Sequence, residues 1–283
     1  MTTRRDFLRQ GSRLLLLPFI VLLALAARSD GQTKAADSNE AGKLRVLFIG
    51  NSYTYFNNLP QMVAELSKSA SKQKPIEAEM FTVGGAMLKS LWESGKALEV
   101  LKGSKWDYVV LQEQSTLGLG PMVNGEVRIN DPKTFHEYAR QFDTEIKKAG
   151  AKTVFYLTWA RQNAPQTQAA LTDAYLSIAK ELNAIAAPAG IAWQTALKVR
   201  PDFALHVEDK SHPNPAGSYL AACVFYATIY GQSPEGLPSR LTGTIVDRSG
   251  KVSDSQGELA NLSKEDAAFL QKIAWDTVRK LRP

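Results

Sequence analysis

The sequence predicts an α/β fold in which a parallel sheet is covered by helices on both faces. From Lys43 onward, short apolar runs alternate with longer amphipathic stretches. One of the short runs, Trp106–Leu111, is near-continuous in apolar residues, as a strand buried on both faces is. The stretches between the runs are long enough for the crossover helices that parallel strands require. No repeat or composition break divides residues 43–283, so a single domain is expected.

The first strand is Leu44–Gly50, which runs into Gly50-Asn51-Ser52 and a helix over Leu59–Ser71. Leu59, Met62, Val63 and Leu66 share one face of that helix. Asn58 suits its N-cap and Pro60 its first turn. Ile76–Val83 reads as the second strand, closed by Gly84-Gly85, and Ala86–Lys102 as one helix. Trp106–Leu111 is the third strand, ending in Gln112-Glu113-Gln114-Ser115. The loop Thr116–Pro132 is placed to rim a site at the strand-carboxyl side. Lys133–Ala149 is helical and Gly150 stops it. Thr153–Trp159 is the fourth strand, Gln166–Ala187 a long helix, and Ile191–Gln194 a short fifth strand. Asn214 and Pro215 start a helix that continues to about Tyr230. The turn-rich residues 231–262 hold a hairpin around Asp247-Arg248-Ser249-Gly250, and Ser263–Leu281, capped by Ser263, closes the chain.

With 283 residues, 44% of them hydrophobic and 22% charged, the chain is ordinary globular material. Its net charge of +6 points less to an acidic partner than to a leader. Arg4, Arg5, Arg9 and Arg13 against Asp6 put half of that excess into the first 26 residues. The rest is dispersed, without a basic run or aromatic interleaving, which excludes nucleic acid as the expected partner. Paired Arg4-Arg5 before Phe7-Leu8, an apolar run from Leu14 to Ala27 and Ala24-Leu25-Ala26 describe an export signal over 1–26. The paired arginines resemble the twin-arginine type. The run is short for a membrane span, which needs about 20 apolar residues. A periplasmic or extracellular protein without stable membrane insertion is therefore expected; the alternative is anchoring through an uncleaved signal. Residues 27–42 read as a linker. The single cysteine, Cys223, permits no internal disulfide, and with three histidines in the chain a dedicated transition-metal site is not expected.

Ser52, Gly84-Gly85, Gln112 with Gln114, and Trp159 all fall at strand-carboxyl ends, where open α/β sheets bind ligands. Asp209-Lys210-Ser211-His212 falls just before the helix at Pro215. Serine needs a base within hydrogen-bond reach, and the base gains from a carboxylate on its other ring nitrogen. An aspartate three residues before a histidine in a turn can reach its Nδ1, leaving Nε2 for Ser52. Candidate oxyanion donors are the Ser52 and Gly85 amides and a side-chain amide from Gln114 or Gln112. Asn51, Tyr53 and Trp159 are candidate substrate contacts, Trp159 by stacking on a sugar ring. Tyr55 and Phe56 also flank the serine. His136 and His206 read as solvated or structural. Glu208 competes with Asp209 as the acid, but lacks the Asp-x-x-His spacing.

Gly50-Asn51-Ser52, the Gly84-Gly85 turn, the polar end of the third strand and Asp209-x-x-His212 together resemble the SGNH/GDSL hydrolase superfamily, from about Leu44 to Tyr230. The resemblance implies a three-layer, flavodoxin-like sandwich of about five parallel strands. It also implies an esterase, lipase, thioesterase or carbohydrate O-deacetylase. It makes Ser52 the nucleophile, His212 the base and Asp209 its partner, with Ser52 and Gly85 as oxyanion amides. Where the family has Gly-x-Asn-Asp, this chain reads Gln112-Glu113-Gln114-Ser115, which leaves the third donor between Gln114 and Gln112. The expected activity is hydrolysis of small acyl esters, foremost O-acetyl groups on carbohydrate, without a cofactor. A lipase or thioesterase of the same fold, or a non-catalytic glycan-binding protein, is the alternative. The sequence leaves the oligomeric state open.

Overall fold

The structure, a computed structural model, describes residues 42–70, 73–118, 122–123 and 126–282. The expected export signal over 1–26 and nearly all of the linker over 27–42 lie outside the described residues. Among the described residues, no helix is long and apolar enough to cross a membrane.

β1 (Leu44–Gly50) leads into a one-turn helix, α1 (Ser52–Tyr55), a 3-10 turn and α2 (Leu59–Lys68). β2 (Ile76–Thr82), α3 (Leu88–Glu93), α4 (Lys96–Lys102) and β3 (Tyr108–Leu111) follow. A minimal hairpin, β4 (Met122–Val123) with β5 (Glu126–Val127), precedes α5 (Lys133–Lys148) and β6 (Lys152–Tyr156). Then come α6 (Gln168–Glu181), β7 (Ile185–Ala187), α7 (Ala189–Val199) and α8 (Pro215–Tyr230). The long hairpin β8 (Arg240–Val246) and β9 (Val252–Asn261) and helix α9 (Lys264–Leu281) end the chain.

Five strands form one parallel sheet in the order β2-β1-β3-β6-β7. Successive strand side chains face opposite sides, so Val46 and Phe48 enter one apolar cluster and Leu47 and Ile49 the other. All four are fully buried. The first cluster is completed by α2, α7, α8 and α9, the second by α3, α4, α5 and α6. This is the expected three-layer sandwich. The order reverses beside β1, where the chain crosses back from β2 to β3, and such a switch point opens a crevice at the strand-carboxyl edge.

Three expected boundaries change. The helix over Ala86–Lys102 is two helices, because Gly95 at φ +72° breaks it. The fifth strand is Ile185–Ala187, inside the stretch expected to be helical. Asn183 takes the left-handed conformation (φ 48°), and the Ala184 amide donates to the Ala179 carbonyl, a Schellman-type end that frees the chain for a short strand. Ile191–Gln194, expected as that strand, lies inside α7. Gly190 seats α7 against the end of β6: a Cβ there would lie 2.0 Å from the Thr158 carbonyl oxygen.

Candidate active site

β1 ends against β3 with no room for a side chain. A Cβ on Gly50 would come within 2.6 Å of Gln112 Oε1 and 2.7 Å of Thr54 Oγ1. That oxygen of Gln112 accepts from the Asn51 amide at 2.8 Å and from Thr54 Oγ1 at 3.0 Å. Asn51 caps α1 by accepting from the Tyr53 amide, and its Nδ2 donates to the Ala86 carbonyl at 2.9 Å. Ser52 is thereby fixed as the first residue of α1. An amide at that position has no intrahelical acceptor.

The residues before α8 form a tight loop in which Lys210 takes a positive φ of 62°. Asp209 Oδ1 accepts from the Ser211 and His212 amides at 2.8 and 2.9 Å. Its Oδ2 meets His212 Nδ1 at 2.5 Å, and His212 Nε2 lies 2.7 Å from Ser52 Oγ. Partial burial opposes ionisation of Asp209, but the hydrogen bonds from the His212 ring and from the two amides outweigh it and hold the carboxyl below its usual range. Phe56 stacks on the imidazole at 4.2 Å and 14°. Behind the loop, Tyr53, Trp159 and Trp193 form a stack with centroids 4.8 and 3.8 Å apart. Trp159 Nε1 donates to the Ser211 carbonyl at 3.0 Å, and the Tyr53 hydroxyl meets Ser211 Oγ at 2.7 Å. Burial pushes the Tyr53 phenol up, which keeps it neutral.

The two glutamines at the end of β3 are not equivalent. Gln112 is fully buried; its oxygen is used as described and its nitrogen donates to the Glu113 carbonyl. Gln114 lines the cavity at Ser52, and its Oε1 accepts from the Thr116 amide and hydroxyl at 2.6 and 2.7 Å. Anchoring the oxygen leaves the Gln114 nitrogen as its donor on the cavity wall. Gly85 also lines the cavity, at φ +68°, where a Cβ would meet nothing within 4 Å. Glycine is needed there for the backbone conformation. Glu113 joins the two sides: its carboxylate accepts from the Leu88 amide at the start of α3 (3.1 Å) and from the Gln114 amide (2.6 Å). Burial pushes its carboxyl up to about 7 despite those two bonds.

The cavity at Ser52 has a volume of about 500 Å³. The structure thus brings Ser52, Gly85, Gln114, Asp209 and His212 to one wall system and moves other candidates away from it. Trp159 has no exposed surface and cannot stack on a sugar; its role is to hold the histidine loop. Asn51 borders the cavity with both side-chain polar atoms engaged, and Tyr53 with its hydroxyl engaged. Glu208 faces Arg248 across 4.0 Å rather than His212. His136 bonds the Ala174 carbonyl and His206 the Ala160 carbonyl. Arg161, Ser115 and Arg248 also line the cavity, and none of them stands out in the sequence as a site residue. Arg161 sits just beyond β6, and Arg248 arrives on the β8–β9 turn, which Tyr55 anchors through the Arg248 carbonyl at 3.2 Å. Among the described residues no group of His, Cys, Asp and Glu could hold a metal ion.

No protein-family model matches the chain, and no curated protein matches it. Solved structures do. A putative SGNH hydrolase from Slackia heliotrinireducens is 26% identical, with a TM-score of 0.53 over 66% of this chain and 99% of that one. A DUF4886 family protein from Bacteroides uniformis is 16% identical, with a TM-score of 0.58 over 84% and 95%. An acetylxylan esterase from Geobacillus stearothermophilus is 18% identical, with a TM-score of 0.54 over 67% and 95%. The five-stranded parallel sheet and these likenesses give the chain the fold of an SGNH-type hydrolase.

Proposed function

We propose that the protein is an exported serine esterase that removes small acyl groups, foremost acetyl groups on carbohydrate. The observation that carries this reading is the Ser52 Oγ–His212 Nε2 contact at 2.7 Å, backed by Asp209 on the opposite ring nitrogen. Ser52 Oγ attacks the ester carbonyl carbon while His212 Nε2 takes its proton. The carbonyl oxygen becomes an oxyanion facing the Ser52 and Gly85 amides and the Gln114 side-chain N–H. Collapse breaks the bond to the alcohol, which leaves with the proton from His212. Water, deprotonated by His212, then attacks the acyl-serine and releases the acid. Asp209 holds the imidazole in the required tautomer throughout. The carbohydrate preference draws on neighbours described as acetylxylan esterases. The exported location draws on the paired arginines and apolar run of residues 1–26.

The test is hydrolysis of 4-nitrophenyl acetate and butyrate beside Ser52→Ala. The variant is expected to lose at least three orders of magnitude in kcat, as working triads do. Equal turnover by both would remove Ser52 from the mechanism. A folded wild type that binds acetylated glycan without cleaving it would make the protein a binding module. Turnover of long-chain lipid esters with none on acetylated sugars would move it to the lipases.

A further inference from the structure

A second cavity, of about 600 Å³, adjoins the first, and Arg161 lines both. It lies between the loop after β6 and helix α7. The rims are tied together, since the Gln162 amide donates to the Lys210 carbonyl at 2.8 Å. Its lining includes two cations, Arg161 and Lys198, and no carboxylate. Arg161 donates to Ser115 Oγ at 3.3 Å, while its buried Nε has no acceptor among the described residues. Trp193, on the same lining and only 2% exposed, carries a buried indole N–H that also lacks an acceptor among the described residues. Buried N–H groups without acceptors are costly. Both atoms are shut away from the cavity space, so what the cavity offers a ligand is its charge: two cations and no carboxylate.

We propose that this second cavity is a subsite for a carboxylate-bearing sugar unit in the alcohol portion of the substrate, held by Arg161 and Lys198. The proposal rests on the esterase reading for its link to catalysis, but not for its ligand. A guanidinium can grip a carboxylate through two parallel hydrogen bonds, and Lys198 adds a mobile charge at the outer rim. The volume lies within the range of small-ligand sites. A neutral glycan would bring no counter-charge to a lining that has no carboxylate of its own, which is why an acidic saccharide fits better than a plain xylan chain. Arg161, shared by the two cavities, sets the distance from the recognised carboxylate to the ester.

The experiment is calorimetric binding of trigalacturonate and of neutral xylotriose to the protein and to Arg161→Gln and Lys198→Gln. Trigalacturonate is expected to bind, to weaken as salt rises, and to lose about tenfold in affinity with either substitution. Xylotriose is expected to bind more weakly and to be indifferent to both. Equal affinity for the two trimers, or acidic binding unchanged in both variants, would overturn the proposal. Parallel assays on 4-nitrophenyl acetate separate the two readings. Acidic binding without ester turnover keeps the subsite and removes the esterase. Ester turnover without acidic binding does the reverse.

Discussion

At the scale of single residues, the site depends on which atoms are already engaged. Asp209 uses one carboxylate oxygen to order its own loop and the other to hold the His212 ring. Asp209→Asn is the informative substitution: it keeps the size and the Oδ1 acceptor but presents an N–H to Nδ1. The imidazole is then turned to the wrong tautomer, and kcat is expected to fall by roughly three to four orders of magnitude with the fold intact. The two glutamines separate in the same way. Gln114→Ala removes a cavity donor and is expected to lower kcat by about a hundredfold or more, with KM little changed. Gln112→Ala strips the acceptor from the buried Asn51 amide and is expected to cost about 1–3 kcal/mol of stability. Steady-state kinetics and denaturant unfolding on the same pair of proteins distinguish the two roles.

Glu113 works at the scale of elements, joining the end of β3 to the start of α3 and so setting Gln114 and the Gly85 turn against each other. In an unfolded chain its carboxyl has the ordinary value of 4.5, and in the fold burial raises it to about 7. The folded state therefore holds this proton more tightly than the unfolded one. The stability from this proton is complete below about pH 4.5 and is lost as the pH rises through 7. Between those limits the loss is about 3 kcal/mol. Unfolding curves across that window are expected to show this extra fall in the wild type and its absence in Glu113→Gln. Gly190 acts at the same scale: Gly190→Ala forces a methyl onto the Thr158 carbonyl and is expected to be strongly destabilising by separating α7 from β6.

For the whole molecule, the strand order decides where chemistry can occur. Ser52 and Gln114 follow β1 and β3, which are neighbours in the sheet although β2 lies between them in sequence. The β8–β9 hairpin joins the apolar cluster of α2 and α8 through Leu241 and Leu259 and delivers Arg248 to the cavity from far along the chain. The export reading belongs here as well. Replacing Arg4 and Arg5 with lysines is expected to leave the protein inside the cell, as read by fractionation with an antibody; unchanged export would remove the twin-arginine assignment.

Much of this was legible in the sequence. Apolar runs separated by amphipathic stretches specify an α/β sandwich, because burial on two faces leaves the central strands few polar positions. Gly50-Asn51-Ser52 and Asp209-x-x-His212 are local devices whose backbone geometry follows from neighbouring residues, so their spacing could be read directly. The fifth strand could not be read that way. Ile185–Ala187 and Ile191–Gln194 are both short and apolar, and the choice between them rests on the left-handed turn at Asn183 and the contact of Gly190 with Thr158. Burial of Trp159, the different engagement of Gln112 and Gln114, and the arrival of Arg161 and Arg248 were decided only by the tertiary structure. Each depends on atoms distant in sequence competing for the same space or the same hydrogen bond, and no local pattern records who wins that competition.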